Sequence, residues 1–148
     1  MREMTDPPLA RTVETFKALA HPARLRILGM LRSGPLCVCQ VTAALELAVS
    51  TVSAHLAELK RAGLVLERRD RRWVSYRLAE DPDAKALLGQ VFRLVSRDGR
   101  VAADGCLARG LRRVPVEELC RVELDLTRVG LKPAGGGTEG RSMSWRRA

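Results

Sequence analysis

STVSAHLAELKRAG, residues 50–63, runs directly into LVLERRDRRWVSYRL, residues 64–78, and the change of period between them decides the fold. In the first stretch Val52, Leu56 and Leu59 recur at helical spacing. Gly63 closes that helix, because glycine accepts the left-handed conformation that often follows a last turn. In the second stretch residues rich in Val, Leu, Trp and Tyr flank a charged turn near Asp70, which predicts a β-hairpin with Val74, Tyr76 and Leu78 facing inward.

Working upstream, CVCQVTAALEL (37–47) sets Val38, Val41 and Leu45 on one helical face, and the short LAV joins it to the helix of 50–63. HPARLRILGMLRSG (21–34) reads as a further helix, with Pro22 in its first turn and Gly34 at its end. Its Leu25, Leu28 and Leu31 share a face widened by Ile27, which leaves Arg24, Arg26 and Arg32 for solvent. Before it, LARTVETFKALA (9–20) spaces Leu9, Val13, Phe16 and Ala20 helically. Helices whose third and fourth members form a helix-turn-helix, followed by a hairpin, make a winged helix-turn-helix: mainly α with a small β-hairpin (α+β).

Downstream, DAKALLGQVFRLVSR (83–97) is a helix on which Leu87, Leu88, Val91, Phe92, Leu94 and Val95 make a stripe too broad for one buried seam. A second copy of the chain is the simplest cover, giving a homodimer formed through terminal helices. The 148 residues suit one domain, organised as a winged helix-turn-helix DNA-binding and dimerisation unit over 9–98. An extension over 99–131 has short helices carrying Cys106 and Cys120, and 132–148 has the composition of a disordered basic tail.

The chain carries 26 Lys plus Arg against 17 Asp plus Glu, a formal charge of +9, which favours an anionic partner such as double-stranded DNA. The charge is clustered: Lys60, Arg61, Arg68, Arg69, Arg71, Arg72 and Arg77 stand close together in sequence, with only Glu67 and Asp70 among them. The helix of 50–63 presents Ser50, Thr51, Ser53, Ala54 and His55 away from its core face, and short polar side chains let a helix approach base edges. Lys60 and Arg61 near its end, with Arg68, Arg69, Arg71 and Arg72 in the wing, suit phosphates. The competing reading of the wing is a solvated charged turn, and that of His55 a hydrogen-bonding surface histidine. With neither an apolar leader nor a span-length apolar run, a soluble cytoplasmic protein without membrane contact is expected.

PLCVCQV (35–41) poses the chemical question, since Cys37 and Cys39 are separated by one valine in a chain of four cysteines. A reducing compartment and the short spacing argue against a disulfide between them. An inert apolar pair and a soft-metal clamp remain. Thiolates select As(III), Sb(III), Cd(II) or Pb(II), and a helix N-terminus lowers the pKa of a nearby thiol. On an ideal helix residues i and i+2 point about 200° apart, so one ion gripping both thiols requires the first turn to unwind. That distortion couples binding to the packing of Val38 and Val41 and to the next helix. Neither histidine forms a Cys-His-Asp arrangement and no Gly-rich phosphate loop occurs, which disfavours an enzyme and an organic cofactor.

The succession ALAHPARLRIL (18–28), LCVCQV (36–41), STVSAHLAELKRAGLV (50–65) and RRWVSYRL (71–78) resembles the ArsR/SmtB family of metal-responsive repressors over roughly residues 9–97. The resemblance implies a homodimer that docks two recognition helices on an inverted-repeat operator and releases it when an inducer binds. Cys37 and Cys39 resemble the arsenite-sensing and the cadmium/lead-sensing branches, with As(III) the first choice of inducer. The best-known arsenic version has a third cysteine where this chain has Thr42, so a third thiol falls to Cys106 or Cys120. Cys106 is preferred here because it follows sooner after the terminal helix. Residues 83–97 contain no histidine, which disfavours the family's zinc site, and Ala48 replaces a usual capping serine, leaving Ser50 to cap a shorter helix. A Cd(II)/Pb(II)-responsive repressor, a thiol redox switch and a constitutive DNA-binding module are the rival regulators.

Overall fold

The computed structural model describes residues 8–133. The tail expected from residue 132 onward therefore lies, beyond Pro133, outside the described residues. Two helices lead the chain, α1 (Pro8–Leu19) and α2 (Pro22–Leu31). The second is capped by His21, whose Nδ1 accepts the Ala23 N–H at 3.1 Å while Pro22 occupies the first turn. Helices α3 (Val38–Leu45) and α4 (Val49–Arg61) form the helix-turn-helix. Glu46 ends α3 in the left-handed region (φ 54°), its N–H donating to the Thr42 carbonyl, and Val52 N–H donates to Ala48 O. Ala48 itself stands at the N-cap without a side-chain bond, so Ser50 lies inside the first turn and caps nothing. The tight turn and the burial of Val52, rather than a cap, set where this helix starts.

The hairpin is present as β2 (Val65–Asp70) and β3 (Trp73–Leu78), joined through Arg71 and Arg72, with Arg71 at φ 54°. A short strand unseen in the sequence, β1 (Leu36–Cys37), pairs antiparallel with β3, giving the sheet order β1-β3-β2. Its register sets Leu36 opposite Tyr76 and Cys37 opposite Ser75. Tyr76 is buried and Val74 and Leu78 are half-buried, the inward face that alternation predicts.

Helix α5 (Pro82–Val95) is capped by Asp81, which accepts the Ala84 N–H, and buries Ala84, Leu88 and Phe92. Leu94 is 85 % exposed. On α1 the periodic residues Leu9, Val13, Phe16 and Ala20 are exposed, and Ala18 and Leu19 make the inward contact instead. The described chain thus leaves apolar surface on its first and fifth helices. None of its helices is long and apolar enough to cross a membrane.

Residues 99–131 are more than an appendage. Helix α6 (Gly99–Leu111), capped by Asp98, and α7 (Val116–Arg121) are followed by a 3-10 turn at Leu126–Val129. Leu107, Ala108, Leu111, Leu119 and Leu126 join the same core as Ile27, Leu28, Val41 and Leu56. Each such buried leucine stabilises the fold by roughly 2 kcal/mol, so the extension is a major part of the core. Close approach of α6 to α2 is possible because residue 29 is glycine: a Cβ there would meet Val101 Cγ1 at 3.0 Å.

Arg26, expected at the surface, is buried against α6. Its Nε and Nη2 donate to Asp104 Oδ2 and Oδ1 at 2.7 and 3.0 Å, a bidentate pair in which Asp104 is 0 % exposed. Below it, Arg112 donates to Ser33 Oγ (2.6 Å), Met30 O (3.0 Å), Pro35 O (3.0 Å) and the Gly34 carbonyl, gripping the loop that leads into β1.

Candidate nucleic-acid interface and thiol site

Helix α4 buries Val52, Leu56 and Leu59 completely and presents Ser50, Thr51, Ser53 and Ala54 to solvent, as its periodicity predicts. His55 is placed differently from the other polar residues. It is half-buried, accepts a 3.3 Å hydrogen bond at Nδ1 from Arg24 Nε, and its ring lies 4.4 Å from that of His21. Arg24 also donates to the Lys17 and Ala18 carbonyls, so the end of α1, the start of α2 and α4 are tied at one point. Nothing in the spacing of α2 pointed to this role for Arg24.

At the other end of α4, Lys60 Nζ lies 2.6 Å from Glu67 Oε2 and Arg61 Nη1 lies 2.8 Å from Glu58 Oε1. The Lys60 contact holds the Glu67 carboxyl below its ordinary range and raises the ammonium above its own. These exposed pairs contribute little to stability and exchange readily for other anions. Arg68, Arg69, Arg71 and Arg72 are exposed along the hairpin and at its tip, with the Arg72 guanidinium 5.2 Å from the centre of the Trp73 ring. The four arginines and the polar face of α4 together form a basic surface beside a protruding helix.

The thiols sit at the opposite end of the helix-turn-helix. Cys37 ends β1 and serves as N-cap of α3 in extended conformation (φ −77°, ψ 156°), while Cys39 lies in the first turn. The conflict expected for two cysteines inside one helix does not arise, because Cys37 is outside it. Both thiols are half-buried. The Cys37 N–H donates to Gln40 Oε1 at 2.7 Å, and Gln40 Nε2 donates to the Leu111 carbonyl of α6 at 3.0 Å. Gln40 was missed in the sequence, although a glutamine at the third position of a helix is half of a capping box.

Of the two remaining cysteines, the structure brings Cys120 to the pair: its Sγ is 3.9 Å from Cys39 Sγ. Cys106, preferred from sequence order, instead lies 3.1 Å from Arg109 Nη2 and lines a separate cleft of about 460 Å³ with Arg32, Phe92 and Val101. Sequence order does not show this arrangement, in which Cys106 lines the cleft beside Phe92 while α7 packs back against α3.

Burial pushes both members of the pair up: Cys37 above the ordinary thiol range, helped by Cys120 and Glu117, and Cys39 to about 11, helped by the hydrogen bond and charge of Cys120 and by Cys37. The lowering expected from the helix N-terminus survives only as a small opposing effect of a backbone N–H on Cys39. The pair is therefore protonated near neutral pH. Among the described residues no three His, Cys, Asp or Glu side chains are already gathered tightly enough to hold a metal ion. Thiol donors of this kind suit a soft, sulfur-seeking centre.

The family described as "Bacterial regulatory protein, arsR family" matches residues 21–66, from the cap of α2 into β2. The arsenic resistance transcriptional regulator ArsR2 of Pseudomonas putida is 32 % identical over 116 residues, covering 68 % of this chain and 96 % of the relative. The chain belongs to the ArsR family. A second regulator of P. putida, ArsR1, is 47 % identical over 79 residues, 53 % of this chain, and the match spans only 58 % of that relative. Among solved structures, the homodimeric winged helix-turn-helix DNA-binding domain Mb0332 of Mycobacterium bovis superposes with TM-score 0.55 at 32 % identity, covering 66 % of this chain and 93 % of the domain. In this ArsR-family chain the matched family segment contains Cys37, Cys39 and all of α4, and excludes α6 and α7 with Cys106 and Cys120.

Proposed function

We propose that this chain is a cytoplasmic, homodimeric repressor that binds inverted-repeat operator DNA and releases it when As(III), or Sb(III), binds Cys37 and Cys39. The observation that carries the reading is the position of Cys37, which is paired through β1 with Ser75 of the wing and is also the first residue of the helix-turn-helix. A centre that draws Cys37 toward Cys39 pulls on both DNA-facing elements at once. It biases an equilibrium between a form whose α4 and wing match the operator and one in which they do not. The arsenic-resistance names of ArsR1 and ArsR2 support the inducer's identity.

Ser50, Thr51, Ser53 and Ala54 read base edges, Arg68, Arg69, Arg71 and Arg72 neutralise phosphates with Lys60 and Arg61, and His55 positions α4 through Arg24. Leu94 of α5 and the exposed face of α1, with Leu9, Val13 and Phe16, are covered by the second protomer. The reading assigns no catalytic step and no organic cofactor.

The test is fluorescence anisotropy of an operator fragment from upstream of the gene, with fully reduced protein at fixed salt, titrated with arsenite, antimonite, Cd(II), Pb(II) and Zn(II). Release at stoichiometric arsenite or antimonite, abolished in Cys37→Ser and Cys39→Ser, is the expected result. Release by Cd(II) or Pb(II) alone assigns the inducer to those ions. A second reading is favoured by the closeness of Cys39 and Cys120: oxidation of these two thiols frees the DNA. Response to peroxide with indifference to every ion would establish it.

A further inference from the structure

We infer that Cys120 of α7 is the third sulfur of the As(III) site, donated by the same protomer as Cys37 and Cys39, and that α6 and α7 are the arm through which occupancy reaches the helix-turn-helix. This rests on the arsenite reading above. Cys120 is the thiol in reach, with its Sγ 3.9 Å from Cys39 Sγ, whereas Cys106 is held beside Arg109 in another cleft. Cys120 is exposed, so a neutral arsenite molecule meets it from solvent, and its neighbour Leu119 is completely buried, so the helix that carries it is anchored against α3.

The chemistry balances without an oxidant. As(OH)3 condenses with three thiols: three As–S bonds form, three As–O bonds break, and each S–H proton leaves with a hydroxide as water. Arsenic remains As(III). Three sulfurs satisfy that centre, whereas a structural Zn(II) site is completed by four protein donors.

Closure moves α7 more than α3. In α3 every residue from Gln40 to Leu45 is buried, whereas in α7 only Leu119 is. Movement of α7 travels along a short series of bonds. The end of α6 grips the loop before β1 through Arg112, and its Leu111 carbonyl accepts from Gln40, whose other side-chain atom holds the Cys37 N–H. Drawing Cys120 toward Cys37 and Cys39 therefore loads the cap of α3 from two sides: through the thiol of Cys37 and through Gln40. The arm lies outside the family segment of residues 21–66.

The test uses reduced full-length protein as wild type, Cys120→Ser, Cys106→Ser and Cys37→Ser. Arsenic X-ray absorption should report three sulfur neighbours in wild type and Cys106→Ser and two in Cys120→Ser. Arsenite affinity of Cys120→Ser should fall at least tenfold, whereas Cys106→Ser, outside the site, should keep wild-type arsenite and operator affinities. Mixing Cys120→Ser protomers with Cys37→Ser, Cys39→Ser protomers separates the two donor geometries. If Cys120 acts within its own protomer no three-sulfur site forms in the mixture, whereas donation across the dimer restores one and overturns that part of the inference. Three-sulfur binding and normal DNA release by Cys120→Ser would overturn the assignment of Cys120 while leaving the arsenite reading intact. Wild-type protein that binds no arsenite overturns both.

Discussion

Replacing Asp104 by asparagine should unfold this protein more readily than almost any other single-atom change. The carboxylate is fully buried and is met end-on by Arg26 at 2.7 and 3.0 Å, with Arg26 as a whole 9 % exposed. Asparagine preserves volume but removes the negative charge, leaving the buried guanidinium without the carboxylate that balances it. Breaking one side of a buried pair costs about 3–5 kcal/mol, a large part of the roughly 5–15 kcal/mol that holds a domain of this size together. At a urea dependence of about 2 kcal/mol per molar, the unfolding midpoint should drop by about 2 M, measured by circular dichroism at fixed protein concentration. The double variant Arg26→Met, Asp104→Leu removes both charges and should return to within about 1 kcal/mol of wild type or exceed it, because desolvation and attraction are lost together. A midpoint shift under about 0.5 M for Asp104→Asn would refute the reasoning, as would a double variant no better than the single one.

Three further outcomes follow from particular side chains. Thr42 Oγ1 is buried without a hydrogen-bond partner among the described residues, so Thr42→Val should stabilise the protein by about 1 kcal/mol, and a lower melting temperature would count against it. The raised pKa of Cys39 means that its thiol form is favoured by folding. That contribution is intact below the ordinary thiol pKa and is lost as pH rises toward about 11; iodoacetamide labelling followed by peptide mass spectrometry should show its inflection there, and one below pH 9 contradicts it. Arg71→Ala and Arg72→Ala should each lower the slope of log affinity against log salt by about 1, on operator and random DNA alike, whereas an unchanged slope removes the wing from the phosphates.

What could be read from the sequence was whatever lay on an amphipathic surface. Val52, Leu56 and Leu59 on α4 and the alternation around Tyr76 were legible because each element has one wet face and one dry one. Residues Leu9, Val13 and Phe16 showed the same periodicity and turned out exposed: a pattern declares that a face seeks cover without saying from which chain. Helix α6 was harder, since Gly105, Cys106 and Gly110 interrupt its apolar positions and an aspartate is among its fully buried residues. Arg26 and Asp104 each resemble surface residues and become core only as a pair, 78 positions apart. Cys37 and Cys39 were singled out by chemistry, but the nearness of Cys120 to Cys39 needed the direction in which α7 folds back.

That fold-back also bears on why residue 42 is a threonine, where the resembled arsenic sensors carry their third cysteine. Position 42 is 4 % exposed and lines a cleft closed by Leu124, Asp125 and Leu126, the segment that follows α7. Once α6 and α7 pack on α3, a sulfur at position 42 would be shut behind the extension, where arsenite arriving from solvent has no direct route. The same packing sets an exposed thiol 3.9 Å from Cys39. The extension that covers position 42 thus also carries the sulfur proposed above as the third donor, on an element whose core contacts reach back to α2. If Cys120 is the third donor, inducer binding joins the helix-turn-helix to its own C-terminal arm, and the Cys120→Ser variant reads that link directly.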